Sequence, residues 1–552
     1  MEARGRQGKV PCRPRAFVDS SGCMSVMGEV NRSRSNSPYL LGLDVGGTAV
    51  KVGLFDLDGR LLALHEATIP VATPRPGWAE IDPQLWFAAF ATGARAVREE
   101  AGVSAAQVQA IGLSNMIGTV APLAADGQPL APAITYFDTR STAEAAWMLE
   151  RAPDIPQVTG NRVISGNTSL ASILWLERHE PEICSRAATF AQTNTLLFAW
   201  LTGERRVDWT NASFMGLLDF RTRDWSPDLA ARLGFDLRRL APIAAPHETA
   251  PLLPAAASAL GLCPGTPVAL GGIDGAMTSL GVGAIEVGDA FDSSGTSEMI
   301  AVCLDRPLAC PELLGRWHVV PDRWVLIGAI STPGAALQWF RDRLFAPQSQ
   351  EDSQKLYAAM AAEAEASPPG ANGVVFLPHM MGERAPIWDP YARGVFFGLS
   401  LSTQRGDLIR AVMEGAAYAM RQLIELIEGY SGISIRRVIT VGGATRSRLW
   451  RQIKADVWGV ELVASPVREA AALGAALTAG VGAGFYRDYR DAVRQAVPVG
   501  GEVTCPDPAR GEAYRHSYEV YRRLYPALAD VMHFAARAPS ATEKAECRNK
   551  SL

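Results

Sequence analysis

The sequence predicts an α/β protein made of two large domains related by an internal duplication. The chain has 552 residues, which is too long for one ordinary hydrophobic core. Runs with strand and helix patterns alternate along it. The pattern D-x-x-G-T occurs twice, at residues 44–48 and 292–296, each time between two strands near the start of one half. We therefore predict domains over residues 39–288 and 289–535.

The elements of the first half follow from apolar runs and the turn residues between them. Asp58 followed by Gly59 is a strong hairpin signal between two such runs. Trp86, Phe90 and Ala94 recur at helical spacing. The predicted elements are, in order, strands over 39–44, 50–55 and up to 69, a helix over 83–100, a strand over 108–113, a helix over 170–178 and a strand over 267–272.

The second half shows a similar alternation. Gly442 and Gly443 end one strand before a helix, and a loop is expected over 363–373, which contains Ser-Pro-Pro-Gly. The predicted elements are strands over 290–292 and 299–304, a helix over 404–429, a strand over 436–441, and helices over 447–458, 469–484 and 508–531.

Composition describes a globular protein. Hydrophobic residues make up 48% and charged residues 20% of the chain, and the net charge of -4 gives no reason to expect a nucleic-acid partner. No run reaches the roughly 18 apolar residues that a membrane span needs. Eight scattered cysteines without metal-site spacing indicate single thiols in a reducing cytoplasm. Residues 1–38 are predicted to be a disordered basic extension, with translation from an upstream start codon or a transit peptide as alternatives, and 536–552 a loose tail.

The two repeated turns are candidates for binding phosphates. Glycine lets backbone amides approach a phosphate without an intervening Cβ, and threonine adds a hydroxyl donor. Two such turns facing each other could hold the β- and γ-phosphates of ATP, and Asp44 is a hard oxygen ligand suited to Mg²⁺. The predicted phosphate contacts are Gly47, Thr48, Lys51, Gly295 and Thr296. Two plain hairpins and a turn-capping aspartate are the structural alternative.

Asp274 is the candidate catalytic residue. It stands among glycines directly after an apolar strand, a place where a carboxylate can reach the bottom of a cleft. A base there could accept the proton of an attacking hydroxyl. An aspartate in an ordinary strand-to-helix turn is the alternative. Gly442, Gly443 and Ala444 form a second close-approach site that suits the flat adenosine group, although a tight connection also uses such residues.

With these residues identified, the chain resembles the FGGY family of carbohydrate kinases from about residue 40 to 525. The resemblance rests on a series of segments in the family's order. They are 43–48 (LDVGGT), 77–83 (GWAEIDP), 137–140 (FDTR), 201–204 (LTGE), 271–274 (GGID), 334–339, 382–390 (GERAPIWDP), 397–399 (FGL) and 442–444 (GGA). The 382–390 segment is most similar to the xylulose and gluconate kinase branches.

The resemblance implies an actin/hexokinase-like (ribonuclease H-like) fold whose two domains close over the substrates. It implies that Asp274 is the catalytic base and that ATP with Mg²⁺ is used. It also assigns Gly334, Gln338, Gly443 and Ser447 to the nucleotide. A cytoplasmic protein with a small sugar or polyol substrate is expected, with no nucleic-acid or membrane partner, and a homodimer is the oligomeric state that the family suggests.

Two departures concern the sugar-facing domain. Xylulose kinases usually carry Met-His where this chain has Ile117 and Gly118, and a lysine where it has Ser172. They leave open which acceptor is phosphorylated: a pentulose, gluconate, erythritol, another polyol or a branched signalling sugar. Asp138 is predicted either to contact the substrate or to form an ion pair with Arg140.

Two further classes of function are compatible with the phosphate turns. One is a nucleotide-driven conformational protein of the actin or chaperone kind; Asp274 and the lack of a separate peptide-binding domain argue against it. The other is a non-catalytic regulator that binds nucleotide and sugar. The loss of Asp274 or Thr296 would point to it, and both are present; the departure at Ile117 and Gly118 keeps this alternative open.

Overall fold

The computed structural model describes residues 37–345 and 350–536. The predicted extension, except its last two residues, and the tail beyond residue 536 lie outside the described residues. The elements of the first half are β1 Tyr39–Val45, β2 Ala49–Asp56, β3 Leu61–Thr68, β4 Glu80–Ile81, α1 Pro83–Ala101, β5 Val108–Asn115, β6 Val120–Leu123, β7 Ala133–Ile134, α2 Thr142–Arg151, α3 Ile155–Thr159, α4 Ser169–His179, α5 Pro181–Arg186, β8 Thr189–Gln192, α6 Thr193–Thr202, β9 Val207–Asp208, α7 Trp209–Ala212, β10 Leu218–Asp219, β11 Asp224–Trp225, α8 Pro227–Leu233, β12 Ile243–Ala244, β13 Thr249–Pro251, α9 Pro254–Leu260, β14 Pro267–Ala269, β15 Gly272–Ile273 and α10 Asp274–Gly281.

The second half begins after a short connection. Its elements are β16 Ala290–Ser294, β17 Glu298–Leu304, β18 Leu314–Trp317, β19 Trp324–Ile330, α11 Pro333–Leu344, α12 Gln350–Ala366, β20 Val375–Leu377, β21 Val395–Phe397, α13 Arg405–Ser431, β22 Arg437–Gly442, α14 Arg448–Trp458, β23 Glu461–Ala464, α15 Ala470–Gly482, α16 Tyr489–Ala496, β24 Glu502–Thr504 and α17 Pro508–Ala536. Short 3-10 helices span Ala105–Gln107, Leu237–Arg239, Ala371–Gly373 and Gly443–Arg446.

Two seven-stranded mixed sheets form the cores of the two halves, and they share one arrangement. In the first, β1 pairs antiparallel with β2 and parallel with β5, and the order is β13-β14-β5-β1-β2-β3 with β15 added beside β5. In the second, β16 pairs antiparallel with β17 and parallel with β22, in the order β18-β19-β17-β16-β22-β23-β24. Each D-x-x-G-T segment therefore joins the first two strands of an equivalent meander.

Helix α1 shows how local sequence sets an element. The Asp82 side chain accepts a hydrogen bond from the Gln84 amide at 3.0 Å, and Pro83 occupies the first turn, so the helix start is capped. Gly102 ends it in the left-handed conformation at φ 66°. Trp86 and Phe90, spaced four apart, are completely buried against the first sheet. Each such aromatic stabilises the fold by about 2–3 kcal/mol through burial.

Helix α15 belongs to the second half of the sequence but packs on the first sheet. The helix predicted over 469–484 is confirmed. It is rich in Ala and Gly, and almost every residue from Ala470 to Gly480 is buried. Small side chains let its backbone come directly against β1 and β5, where a Cβ on Gly112 would meet the Ala475 carbonyl oxygen at 1.8 Å. The helix thereby ties the second half of the chain to the first sheet.

Most predicted elements are confirmed within one to three residues, and two predictions are wrong in detail. The loop expected over 363–373 begins later, because α12 continues to Ala366. The strand expected over 267–272 is two short strands, because Gly271 has φ 73° and breaks it. Among the described residues, no helix is both long enough and apolar enough to cross a membrane.

Candidate active site

The first D-x-x-G-T turn, the first of the two predicted phosphate turns, joins β1 to β2. The Gly46 amide donates to the Ala49 carbonyl at 2.9 Å, which closes a tight hairpin with Gly47 and Thr48 at its tip. Thr48 is exposed, and no side-chain bond occupies its hydroxyl within the described part of the chain. The Phe137 ring lies so close that a Cβ on Gly47 would meet it at 2.5 Å. The tip therefore presents backbone amides and one hydroxyl, as a phosphate site requires.

Asp44 and Lys51 face each other across this hairpin. Ser114 Oγ donates to Asp44 Oδ1 at 2.7 Å, and burial raises the pKa of Asp44. Lys51 Nζ lies 2.9 Å from Glu469 Oε2, just before α15. Burial opposes the charge of Lys51, but Glu469 overcomes this and raises the Lys51 pKa. The predicted phosphate contact of Lys51 thus has a counter-ion already, 418 residues away in sequence.

The second phosphate turn joins β16 to β17 and is built by close backbone approach. The Gly295 amide donates to the Ser297 carbonyl at 2.8 Å, and Thr296 is exposed at the tip. A Cβ on Gly334 would lie 1.9 Å from the Gly295 carbonyl oxygen, and one on Gly442 would lie 2.2 Å from that of Ser294. These two predicted ATP residues therefore allow α11 and β22 to reach the turn, and larger residues would displace it.

A buried ion cluster supports this second turn. Lys454 Nζ lies 2.5 Å from Glu298 Oε1, 3.1 Å from Asp292 Oδ2 and 2.6 Å from Ser294 Oγ. All four side chains are essentially inaccessible to solvent. Burial opposes the charge of Lys454, and the two carboxylates overcome it and raise its pKa; burial likewise raises the pKa of Glu298. The cluster joins α14 to both strands of the turn.

The predicted adenosine residues lie at the end of β22. Nothing lies within 4 Å of a Cβ built on Gly443, so this backbone borders open space. Ala444 packs against the core, and Ser447 caps α14 by accepting a hydrogen bond from the Trp450 amide at 3.3 Å. Gln338 is exposed on α11. The structure thus leaves Gly443 and Gln338 accessible, whereas the Ser447 hydroxyl is already used to cap the helix.

Asp274 is the first residue of α10, and a buried network holds the backbone before it. The Ile273 amide donates to Thr210 Oγ1 at 3.0 Å, and the Thr210 hydroxyl in turn donates to Asp208. Asp208 is fully buried and also accepts hydrogen bonds from Asn211 at 2.6 Å and from Asn194. Burial raises the pKa of Asp208 to about 6. Sequence reasoning missed this network, because its members are distant from Asp274 in sequence.

The Asp274 carboxylate is open to the cleft but surrounded by protein. Its Oδ1 accepts a hydrogen bond from the Gly275 amide at 2.7 Å. The surrounding protein limits its hydration and raises its pKa to about 6, and the nearby charge of Asp44 adds to this rise. The Gly275 amide and the Arg316 guanidinium oppose the rise. A carboxylate poised in this range can accept a proton near neutral pH.

Three more side chains are coupled electrostatically to this point, two of them from the second half of the chain: Tyr136 and Arg316 interact with the charge of Asp274, and Arg384 interacts with both. Burial and the Asp274 charge raise the pKa of Tyr136 to about 12, while Arg384 opposes this. Burial lowers the pKa of Arg316 to about 9, and Asp274 opposes that change. In the sequence, Arg384 was identified only as part of the 382–390 segment, with no role assigned. Tyr136 and Arg316 were not identified from the sequence. The site therefore lies in a cleft formed by both halves.

The residues predicted on the acceptor side are mostly packed. Gly118 is buried at φ 66°, and a Cβ there would meet the Gly166 carbonyl oxygen at 2.4 Å. Ile117 is partly buried against the cluster that includes Phe214 and Ile273. Asp138 is buried, and both its oxygens accept hydrogen bonds from Arg140, with one also accepting from the Ala79 amide at 2.6 Å. This geometry is the ion-pair alternative, and a substrate contact of Asp138 stays a prediction.

No group of three or more His, Cys, Asp or Glu side chains arranged for a metal occurs among residues 37–345 and 350–536. Asp44 offers one carboxylate oxygen without a hydrogen-bond partner in this part of the chain. Mg²⁺ typically uses one or two carboxylates together with substrate phosphates and water. Asp44 beside a phosphate turn fits that donor set.

The proteins to which this chain is similar agree with the geometry of the site. The family model described as the FGGY family of carbohydrate kinases matches at residues 39–281 with its N-terminal domain and at 290–483 with its C-terminal domain. The chain is 31% identical over 496 residues to the xylulose kinase of Escherichia coli, covering 89% of this chain and 99% of that one. It is 30% identical over 503 residues to the gluconokinase of Bacillus subtilis, covering 88% and 94%.

A solved structure agrees over the same length. The xylulose kinase of Rhodospirillum rubrum superposes with a TM-score of 0.82 at 31% identity, covering 90% of this chain and 100% of that one. The predicted two-domain α/β kinase fold is therefore confirmed. From the turns, the cleft aspartate and these matches we conclude that the chain belongs to the FGGY family of carbohydrate kinases and is an ATP-dependent sugar kinase.

Proposed function

We propose that this protein transfers the γ-phosphoryl group of ATP to a hydroxyl of a small sugar, sugar acid or polyol, with Asp274 as the general base. The observation that carries the proposal is the position of Asp274 in a cleft lined by both halves, with a pKa raised to about 6 and the first phosphate turn close by. A base of this pKa is mostly ionised at neutral pH.

The two turns would hold the nucleotide. Gly47 and Thr48 would donate to one side of the β- and γ-phosphates, and Gly295 and Thr296 to the other. Asp44 would hold Mg²⁺, which supplies charge neutralisation on the phosphate oxygens when bound. The open backbone at Gly443 would accept the adenosine group.

In the transfer step Asp274 would accept the hydroxyl proton of the acceptor as its oxygen forms a bond to the γ-phosphorus. The bond between that phosphorus and the β,γ-bridging oxygen breaks, and ADP leaves. Tyr136 and Arg316 are near enough to interact with the charge of Asp274, and closure of the two halves over the acceptor would exclude water and limit hydrolysis of ATP.

The test is ADP release in a coupled assay with ATP, Mg²⁺ and a panel of acceptors: xyluloses, ribuloses, gluconate, glycerol, erythritol and other polyols. Asp274→Asn should keep ATP binding and lower turnover about 10²- to 10⁴-fold. Thr210→Ser, which keeps the hydroxyl behind Asp274, is the matched control and should retain most activity. Unchanged turnover in Asp274→Asn would remove Asp274 from the mechanism.

Two acceptor classes are supported by relatives of similar identity, one named xylulose kinase and one named gluconokinase. A xylulokinase-type reaction is the first candidate, and gluconate or another polyol the second. Cytoplasmic location and a homodimer stay predictions from the sequence.

A further inference from the structure

A small cavity between the two halves of the chain carries positive charge without any acidic side chain. It measures about 10 Å³, enough for one oxygen-sized group. Its charged and amide side chains are Asn161, Arg162 and Asn167 on one side and Arg316 of β18 on the other, and Thr159, Thr168 and Ser213 also line it. No aspartate or glutamate is among the residues that line it. A ligand that enters this cavity meets two guanidinium groups.

Arg316 is a buried cation without a close counter-ion. Its exposed fraction is 6%, and no carboxylate of the described residues lies within ion-pair distance of it. Nε donates a long hydrogen bond to Asn161 Oδ1 at 3.4 Å, and the guanidinium carbon lies 3.9 Å from the centre of the Phe214 ring. The two terminal nitrogens have no bond in the described structure. Burying an unpaired charge is costly, so a partner for it is expected.

The position of Arg316 is fixed relative to the first domain. The amide of the preceding residue, Gly315, donates to the Gly160 carbonyl at 2.8 Å, so β18 is joined to the loop that bears Asn161. Phe214, on which the guanidinium rests, belongs to the same apolar cluster as Ile273, directly before Asp274. Gly118 packs on Asn167, another residue of the cavity lining. The cavity is therefore an extension of the acceptor side of the cleft.

We propose that Arg316 binds a carboxylate of the acceptor, so that the preferred substrate is a sugar acid rather than a neutral sugar or polyol. This inference rests on the proposed kinase function. The acceptor would place one hydroxyl at Asp274 and its carboxylate at Arg316, with each terminal nitrogen donating to one carboxylate oxygen. Arg162, whose Nη1 already donates to the Pro311 carbonyl at 2.8 Å, would contribute charge.

The test compares matched pairs of acceptors: gluconate with sorbitol, xylonate with xylitol and D-xylulose, and erythronate with erythritol. The kcat/KM for the acid should exceed that for its neutral partner by about 100-fold, the size of a paired charge-assisted hydrogen bond. Arg316→Gln should remove most of this preference, because kcat/KM falls much further for the acid than for its neutral partner. Arg238→Gln, at an arginine exposed on the first domain, is the matched control and should change neither.

Arg316→Lys keeps the positive charge but loses the two parallel N–H donors of the guanidinium, and it replaces the glutamine variant if that variant does not fold. Its kcat/KM should fall about tenfold for the acids and stay unchanged for the neutral acceptors. Equal or better use of neutral acceptors or of a sugar phosphate would overturn the inference, as would an equal loss on acids and neutrals in Arg316→Gln.

Calorimetric titration with gluconate, xylonate and erythronate separates this inference from the proposed function. If the protein binds ATP but releases no ADP with any of the acceptors, the kinase proposal fails. Acid binding that is lost in Arg316→Gln would then still support a carboxylate site, and absence of acid binding to the parent protein would overturn it.

Discussion

The two phosphate turns share the sequence pattern D-x-x-G-T and the same position in equivalent sheets, but their surroundings differ. In the first turn Asp44 keeps one oxygen without a partner in the described chain, and Lys51 pairs with Glu469 at a partly exposed site. In the second turn Asp292 is fully buried and bonded to Lys454, Ser294 and Thr440. One aspartate is available to a ligand, and the other is part of the framework.

This difference shows that a repeated pattern fixes the shape of a turn but not the use of its side chains. The tips, with Thr48 and Thr296 exposed, are equivalent in both turns. The aspartates differ because other parts of the chain reach them: α14 brings Lys454 beneath the second turn, whereas the first turn faces Asp274. The predictions below test this contrast.

The largest effect is expected from removing the buried lysine. Lys454→Met leaves Asp292 and Glu298 buried without their cation, and should lower the free energy of unfolding by about 3–5 kcal/mol. Lys51→Met, at the lysine beside the first turn, breaks a partly exposed pair and should cost less than about 1 kcal/mol. Chemical denaturation of both variants measures this. Similar losses in the two would contradict the contrast.

A smaller effect, on activity, is expected at the first aspartate. Asp44→Asn should lower kcat about 100-fold, because the proposed Mg²⁺ ligand is lost, with little change in stability. Asp292→Asn should instead lower stability and leave the folded protein with kcat within about tenfold of the parent. Steady-state ADP release across a Mg²⁺ titration, beside thermal unfolding, distinguishes them. A larger loss of kcat in Asp292→Asn would reverse the assignment.

The smallest effect concerns pH. Because Asp274 must be ionised to accept a proton and its pKa is raised to about 6, kcat/KM should be constant above that pH and fall about tenfold per unit below it. The charge of Asp44 helps to raise this pKa, so Asp44→Asn should move the decline to lower pH. Glu298→Gln, at the second turn, should leave its position unchanged. A flat profile from pH 5 to 8 would contradict the role of Asp274.

Much of the fold could be predicted because it depends on local patterns. The strands around Gly47 and the helix with Trp86 and Phe90 follow from apolar spacing and turn residues, which act within a few positions of the chain. The errors arose where longer-range packing decided the outcome. Helix α12 extends to Ala366, and Gly271 divides a strand that its apolar content suggested was continuous.

The parts of the candidate site that could be predicted are those marked by a recognisable local pattern of residues. Asp274 and the two turns stand out because glycines surround them. Arg316, Tyr136 and Lys454 gave no signal, since arginine, tyrosine and lysine are common at surfaces, and only their packing near distant segments gives these three a role. Asp138 was singled out, yet its oxygens are taken by Arg140 and the Ala79 amide.

The sequence by itself determined the kinase family, the two D-x-x-G-T turns and the position of the cleft aspartate, because glycine spacing and strand patterns are local properties. Only the tertiary structure decided which aspartate is free for a ligand, where Lys51 finds a counter-ion, and that Arg316 faces a cavity without a carboxylate. These properties depend on burial and on charges that approach from residues more than a hundred positions away, and neither is written in any one segment of the chain.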